Sequence, residues 1–244
     1  MEKKTKKDTA KKKAVKKIAK TKTKNFSELG YEKGKVYKIE EALDLVKKMS
    51  KTKFDASVEA HFRLGINTKK GDQQVRSAVA LPHGTGKTIK IAAFVSPENE
   101  AAVKKAGADF VGGDDLIEEI RKTEKTDFQV AVAEPVLMKN LAKIAKILGT
   151  RGLMPSPKND TVTANPVLAV QELKKGKVSF KNDDTGNLHV TIGKISFDTN
   201  KLQENYKTLF EAIKKSKPAS SKGSYIKNVT ICSTMGPGIK VEIA

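Results

Sequence analysis

The rhythm of the hydrophobic residues changes twice along this chain, and that change constrains the fold more than any single motif. Val58, Ala60, Phe62, Leu64 and Ile66 alternate with Ser57, Glu59, His61 and Arg63. A period of two puts one row against a core and the other on a polar face, as in a half-buried strand. Just before it, Ile39, Ala42, Leu43, Val46 and Met49 recur at spacings of three and four, with Glu40 and Glu41 at the start and Lys47 and Lys48 at the end. That spacing predicts an amphipathic helix whose charges suit its dipole. The middle of the chain reads differently: strand over 89–95, helix 98–105, short strand 110–112, helix 114–122, strand 128–132, one helix 136–148 and a closing helix 166–175. Strands alternating with helices indicate βαβ units and a parallel sheet covered on both faces. Alternation then returns over Lys177–Lys181 and 188–194. The turn-forming run Asn182-Asp183-Asp184-Thr185-Gly186-Asn187 between them predicts that these two strands pair as a hairpin. Leu202, Tyr206, Leu209, Phe210 and Ile213 make a further helix stripe, capped by Asp198, Thr199 or Asn200 and stopped near Pro218. Strands over Ile226–Ser233 and 239–243 close the chain.

The expected fold class is therefore α/β: a two-layer α+β domain, discontinuous over residues 25–84 and 177–244, with a Rossmann-like α/β domain of residues 85–176 inserted into it. Gly84, Gly86 and Gly176 stand at the two crossings and supply the backbone freedom a hinge needs.

Charge narrows the partner. The 244 residues carry 48 Lys plus Arg against 28 Asp plus Glu, a net +20, which repels itself unless a polyanion neutralises it. Residues 1–24 hold 12 of those lysines against Glu2 and Asp8, with Val15 and Ile18 as their only large aliphatics. Such a segment cannot offset its ordering entropy and is expected to be a disordered basic tail. Composition leaves open whether it is a solubilising arm or one that grips phosphates. No apolar run of about 18 residues is present to span a bilayer, so no membrane partner and a cytoplasmic location are expected. With Cys232 as the single cysteine and His61, His83 and His189 scattered along the chain, no disulfide, metal site or cofactor is expected.

Two motifs resemble phosphate sites and fall short. Leu81-Pro82-His83-Gly84-Thr85-Gly86-Lys87-Thr88 ends like a P-loop, but Leu81 stands where the pattern needs glycine, and a strand pattern follows where it needs a helix. Gly112-Gly113 precede a helix, but Asp114 and Asp115 there repel an anion and read as caps. The acidic residues fall mostly on helix ends and solvent faces, Cys232 has no histidine near it in sequence, and no catalytic set emerges. The segment 149–163, Gly-Thr-Arg-Gly-Leu-Met-Pro-Ser-Pro-Lys-Asn-Asp-Thr-Val-Thr, is a shaped surface more than a spacer, with Arg151, Lys158, Leu153 and Met154 on it.

Two other non-helical stretches combine cations, apolar side chains and small residues: Lys53-Phe54-Asp55-Ala56-Ser57-Val58-Glu59 and Ser233-Thr234-Met235-Gly236-Pro237-Gly238. Phe54 and Met235 suit the face of a base or sugar, Ser57 and Thr234 suit ribose hydroxyls, and Glu59 suits a hydroxyl or base N–H. Gly236 lets the backbone approach closely. On residues alone the plainer alternative stays open, with Phe54 as first core residue of its strand and Met235 as gap filler.

A resemblance bears on that choice. Lys53-Phe54-Asp55-x-x-Val58-Glu59, Leu81-Pro82-His83-Gly84-x-Gly86-Lys87, Ala106-Gly107-Ala108-Asp109-x-Val111-Gly112-Gly113, the run from Gly149 to Lys158 and Thr234-Met235-Gly236-Pro237 occur in the order seen in the L-one family of large-subunit ribosomal proteins, bacterial type. The chain resembles that family from about Tyr37 to Val241. The resemblance implies two domains joined by a hinge, no enzymatic activity, binding to the mobile stalk of large-subunit rRNA, assistance to release of deacylated tRNA from the exit site, and repression of translation from the protein's own mRNA. It implies a monomer within the ribosome. It assigns RNA contacts to Lys53, Phe54, Ser57, Glu59, Thr234, Met235 and Gly236, with Lys181 and Lys227 as further phosphate partners. Ser57 stands where the family often has threonine, and Thr150 replaces a common proline. The competing expectation is an enzyme that binds a nucleotide in the inserted α/β domain.

Overall fold

A computed structural model describes residues 30–243. The basic tail expected over residues 1–24 lies outside the described residues.

The alternating strands assemble an antiparallel sheet with a parallel edge. Its order is β1 (Val36–Tyr37), β10 (Ile239–Val241), β9 (Ile226–Ser233), β2 (Ser57–Leu64) and β8 (Asn187–Lys194), with only β1 and β10 parallel. Helices α1 (Ile39–Met49) and α7 (Thr199–Lys215) cover one face. Leu43, Val46 and Met49 of α1 and Leu202, Tyr206, Leu209 and Ile213 of α7 bury against Val58, Ala60 and Phe62 of β2 and Val229 and Ile231 of β9. The opposite face of β2 carries Glu59, His61 and Arg63, none of them buried. One face is core and one is wet, as the period of two requires.

Residues 91–133 build the second sheet. Its parallel strands run in the order β5 (Phe110–Gly112), β4 (Ile91–Phe94), β6 (Val130–Ala133). The central strand is buried at every residue and feeds two clusters. Ala92 and Phe94 pack with Ile117 and Ile120 of α3 (Asp114–Thr123) and with Leu141, Ile144 and Leu148. Ile91 and Ala93 pack with Val103 of α2 (Pro97–Lys105) and with Ala169, Val170 and Leu173 of α6 (Pro166–Lys175). Burial on both faces explains the unbroken Ile-Ala-Ala-Phe run.

Several expectations need correction. The strands β7 (Lys177–Lys181) and β8 do not form a hairpin. The turn between them forms, but β7 pairs with β3 (Arg76–Ala80) in a separate two-stranded sheet, while β8 pairs with β2. Phe62, flanked by Phe210 and Tyr206, anchors β2 in the large core, and β8 takes the longer, better-buried register beside it. The single helix expected over 136–148 is broken into short turns, with α4 (Met138–Leu141) and α5 (Ala145–Thr150) as its α-helical parts. The first turn of α3 is not side-chain capped: Gly113 holds the cap position, and Asp114 and Asp115 act through charge at the positive helix end. In the proline-rich segment, Leu153 and Met154 turn inward onto the Phe94 cluster instead of forming a presented surface.

The two crossings between the sheets touch. Gly84 and Gly176 both have positive φ, and a Cβ on Gly176 would lie 2.4 Å from the Cα of Gly84. Only glycine permits that approach. Asn205, fully buried on α7, clamps the first crossing: its Nδ2 donates to Gly84 O at 2.9 Å and to Ile192 O at 2.8 Å, and its Oδ1 accepts from His83 N at 3.1 Å. Lys177 ties the second, with Nζ 3.0 Å from Asp160 and 2.9 Å from Glu172. Burial opposes its charge, but those two carboxylates outweigh that and hold its ammonium above the ordinary lysine value.

Candidate nucleic-acid interface

The start of β2 and the end of β9 meet at one end of the large sheet, because Val58 pairs with Ser233. There the chain leaves β9 through a tight turn. Thr234 N donates to Ser57 O at 2.9 Å and Ser57 N donates to Thr234 Oγ1 at 3.2 Å, which fixes the two segments side by side. Gly236 N closes the turn on Ser233 O at 2.8 Å, and a Cβ on Gly236 would come within 2.3 Å of Ser233 Oγ. Met235, between them, takes φ +66°, the left-handed region that side chains other than Gly, Asn and Asp seldom occupy. Its side chain consequently projects into solvent at 89% exposure. Across the rim Phe54 is 58% exposed. Its segment is braced from the end of β8 and the turn after it: Lys194 Nζ donates to Asp55 O at 3.0 Å, and Ser196 donates from N and Oγ to the Asp55 carboxylate at 3.2 and 2.9 Å.

Phe54 is therefore not the first core residue of its strand, and Met235 fills no gap. The rim offers two apolar side chains on a rigid backbone beside the exposed Lys53. Side chains so placed can stack on bases or sugars. Ser57 is 7% exposed, and its backbone N and O are both tied to Thr234.

Lys181 and Lys227 are not brought to this rim. Lys181 sits on β7 opposite Arg76 in the two-stranded sheet, so it does not lie on a strand neighbouring β2. Lys227 follows Ile226, which pairs with Leu64 at the far end of β2, six residues from Ser233, or roughly 20 Å along the strand. The Lys87-Thr88 pair leads into β4 and not into a helix, so the P-loop geometry does not form.

Glu59 lies one pair further along the open face, opposite Cys232. Beside it the sheet gathers residues that the sequence scatters. His61 Nε2 is 3.1 Å from Cys232 Sγ, and His61 Nδ1 is 2.8 Å from His189 Nδ1. His189 Nε2 in turn lies 3.7 Å from the Asp183 carboxylate. Burial, with His189 beside it, pushes the His61 imidazole below its ordinary value, and burial followed by the Glu59 charge pushes the Cys232 thiol up. The expectation that these histidines stand alone fails, because strand pairing erases distance along the chain. The one sequence signal was their placement: each lies in the polar row of its own strand.

An antiparallel sheet backed by two helices, a parallel α/β unit inserted through two touching crossings, and an exposed apolar rim at one end of the large sheet define an α/β protein. The chain belongs to the Ribosomal protein L1p/L10e family, which it matches over residues 46–237. It is similar to the large ribosomal subunit protein uL1 of Thermosipho africanus (strain TCF52B), 50% identical over 213 residues that cover 87% of this chain and 92% of that protein. The protein of the same description from Kosmotoga olearia (strain ATCC BAA-1733 / DSM 21960 / TBF 19.5.1) is 51% identical over 208 residues, or 85% and 90% of the two chains. That from Thermosipho melanesiensis (strain DSM 12029 / CIP 104789 / BI429) is 49% identical over 210 residues, or 86% and 90%.

Proposed function

We propose that this chain is a structural constituent of the large ribosomal subunit, located on the cytoplasmic ribosome as a monomer, that binds the mobile stalk of large-subunit rRNA. It acts by recognition and not by catalysis. The rim contacts RNA through Phe54 and Met235 against base or sugar faces, Lys53 against phosphate, Ser57 and Thr234 against ribose hydroxyls, Glu59 against a hydroxyl or base N–H, and Gly236 through close approach of its backbone; the bonds between Thr234 and Ser57 also hold the rim in shape. Residues 25–84 and 177–244 act as the RNA-binding unit. Residues 85–176 act as a second unit that swings about Gly84, Gly86 and Gly176, follows the stalk and assists release of deacylated tRNA from the exit site. The same rim binds the protein's own mRNA and represses its translation. Lys181 and Lys227, remote from the rim, serve as phosphate partners.

The observation that carries this reading is the strained, 89% exposed Met235 beside the 58% exposed Phe54. A backbone strained to hold an apolar side chain in water indicates selection for a partner. Filter binding at fixed salt with a stalk rRNA fragment tests it. Phe54→Ala and Met235→Ala are each expected to weaken binding by about 1–3 kcal/mol, the usual worth of one stacked base, with circular dichroism unchanged. Affinity unchanged in both would remove the rim from the interface. Co-sedimentation with large subunits, competed by the same fragment, separates a ribosomal constituent from a repressor acting on messenger alone.

A further inference from the structure

The open face of the large sheet holds a second constellation, which shares Glu59 with the proposed RNA contacts and adds residues that those contacts do not use. Glu59, His61 and Cys232 present a carboxylate oxygen, an imidazole nitrogen and a sulfur all within 4.8 Å of one another. From this geometry we infer that Glu59, His61 and Cys232 form a binding site for a divalent metal ion of the zinc class.

The donor set is carboxylate, imidazole and thiolate, the combination that favours zinc-like ions over magnesium or calcium, which take oxygen ligands. The spacing also fits. Zinc bonds of roughly 2.3 Å to sulfur and 2.0–2.1 Å to nitrogen in tetrahedral geometry separate the two donors by about 3.5 Å. His61 Nε2 and Cys232 Sγ stand 3.1 Å apart, so a movement of a few tenths of an ångström admits the ion. Backbone pairing holds the ligands: Glu59 lies opposite Cys232, and His61 follows two residues on along the same face.

The outer shell is the second, independent observation. A ligating histidine needs its other ring N–H held by an acceptor, which sets its tautomer and aims the free nitrogen at the metal. His61 Nδ1 meets His189 Nδ1 at 2.8 Å, and His189 turns Nε2 toward the Asp183 carboxylate at 3.7 Å. With Nδ1–H of His61 donating to His189 and the charge of Asp183 favouring the proton on Nε2 of His189, His61 Nε2 keeps its lone pair for the ion. Binding replaces the Cys232 S–H bond by a sulfur–metal bond and passes the proton to solvent. Three protein ligands leave the fourth position open to water.

Cobalt(II) titration of the metal-free full chain, with a non-thiol reductant and no RNA, tests the site apart from the RNA reading. The result expected is one equivalent of cobalt with a thiolate charge-transfer band and tetrahedral visible bands, displaced by zinc and unaffected by excess magnesium. Cys232→Ser should abolish the charge-transfer band, and His61→Ala and Glu59→Gln should weaken binding. His189→Asn, which alters only the outer shell, should weaken it by about 10–100-fold. His83→Ala, at the separate His83–Glu204 pair, should change nothing. A wild-type chain without the band overturns the inference, as does a band that survives His61→Ala and Glu59→Gln unchanged, which would mark an isolated thiol. Circular dichroism of each variant establishes that the sheet has formed before its titration is read.

Discussion

Met235 shows at a single residue how function and stability pull apart. Its left-handed backbone costs an L side chain on the order of 1 kcal/mol, and 89% exposure returns little burial. Replacing it with glycine relieves that strain. Met235→Gly is therefore expected to leave the urea midpoint unchanged or raise it by up to about 0.5–1 kcal/mol of stability, while binding to stalk rRNA weakens. A clear loss of stability would mean that the side chain packs within the fold. Asp183 offers the opposite case. Desolvation works against its charge, but N–H and hydroxyl donors from Asn187 and Thr185 outweigh it and hold the carboxyl well below its usual range. A depressed folded-state pKa adds stability above the ordinary carboxylate range and loses it as pH falls through the folded value. Asp183→Ala should cost about 1 kcal/mol at pH 7, modest because the carboxylate is 38% exposed and screened. In paired urea melts the gap between variant and parent should narrow steadily below about pH 4.

At the scale of elements, α7 and the crossings form one device. Asn205 satisfies three backbone groups from inside the core, two of them in the crossing at His83 and Gly84. Asn205→Leu keeps the volume but leaves those groups unpaired, with a cost expected near 2–3 kcal/mol in denaturant melts. Gly176→Ala, at φ +108° and 2.4 Å from Gly84, should cost about 1–3 kcal/mol for the same fold. Equal melts for parent and variants would show that the crossings are slack. The α1 and α7 stripes, the alternation in β2 and the buried Ile-Ala-Ala-Phe run were all legible in sequence, because each is a local periodicity read by one packed face. The partner of β7 was not. The turn at Asp183 forms as its residues demand, yet whether β8 then folds back on β7 or crosses to β2 depends on which strand completes the larger core. A turn motif holds no information about that competition. The break in the helix expected over 136–148 has a similar origin, since its apolar spacing is served equally well by successive short turns over the Phe94 cluster.

For the whole molecule the charge distribution sets the behaviour toward RNA. Half of the net +20 lies in residues 1–24, a small fraction of the chain. Each phosphate neutralised contributes roughly 0.7–0.9 to the slope of log affinity against log salt. Deleting residues 1–24 is expected to flatten that slope for stalk and unrelated RNAs alike, while the preference for stalk RNA at fixed salt survives if discrimination belongs to the rim as proposed. An unaltered slope would show that the tail does not meet phosphate. Lys181→Ala and Lys227→Ala should each lower the slope by about one at most, without changing that preference.

The sequence by itself determined the α/β class, the inserted βαβ rhythm, the glycines at the crossings and the motifs of the family, because these are properties of short windows and of composition. It also singled out Phe54, Met235 and Gly236, although it left open whether the first two face a core or a partner. Tertiary structure excluded the core for both, through a left-handed turn at Met235 that no propensity favours and a brace from β8 that pins Asp55. It separated Lys181 and Lys227 from the rim and tied the backbone of Ser57 to Thr234. It also brought His61, His189, Glu59 and Cys232 together from three strands. The physical reason is common to all of these: contacts across a sheet follow from strand order and register, which the whole core selects, and no stretch of sequence contains them.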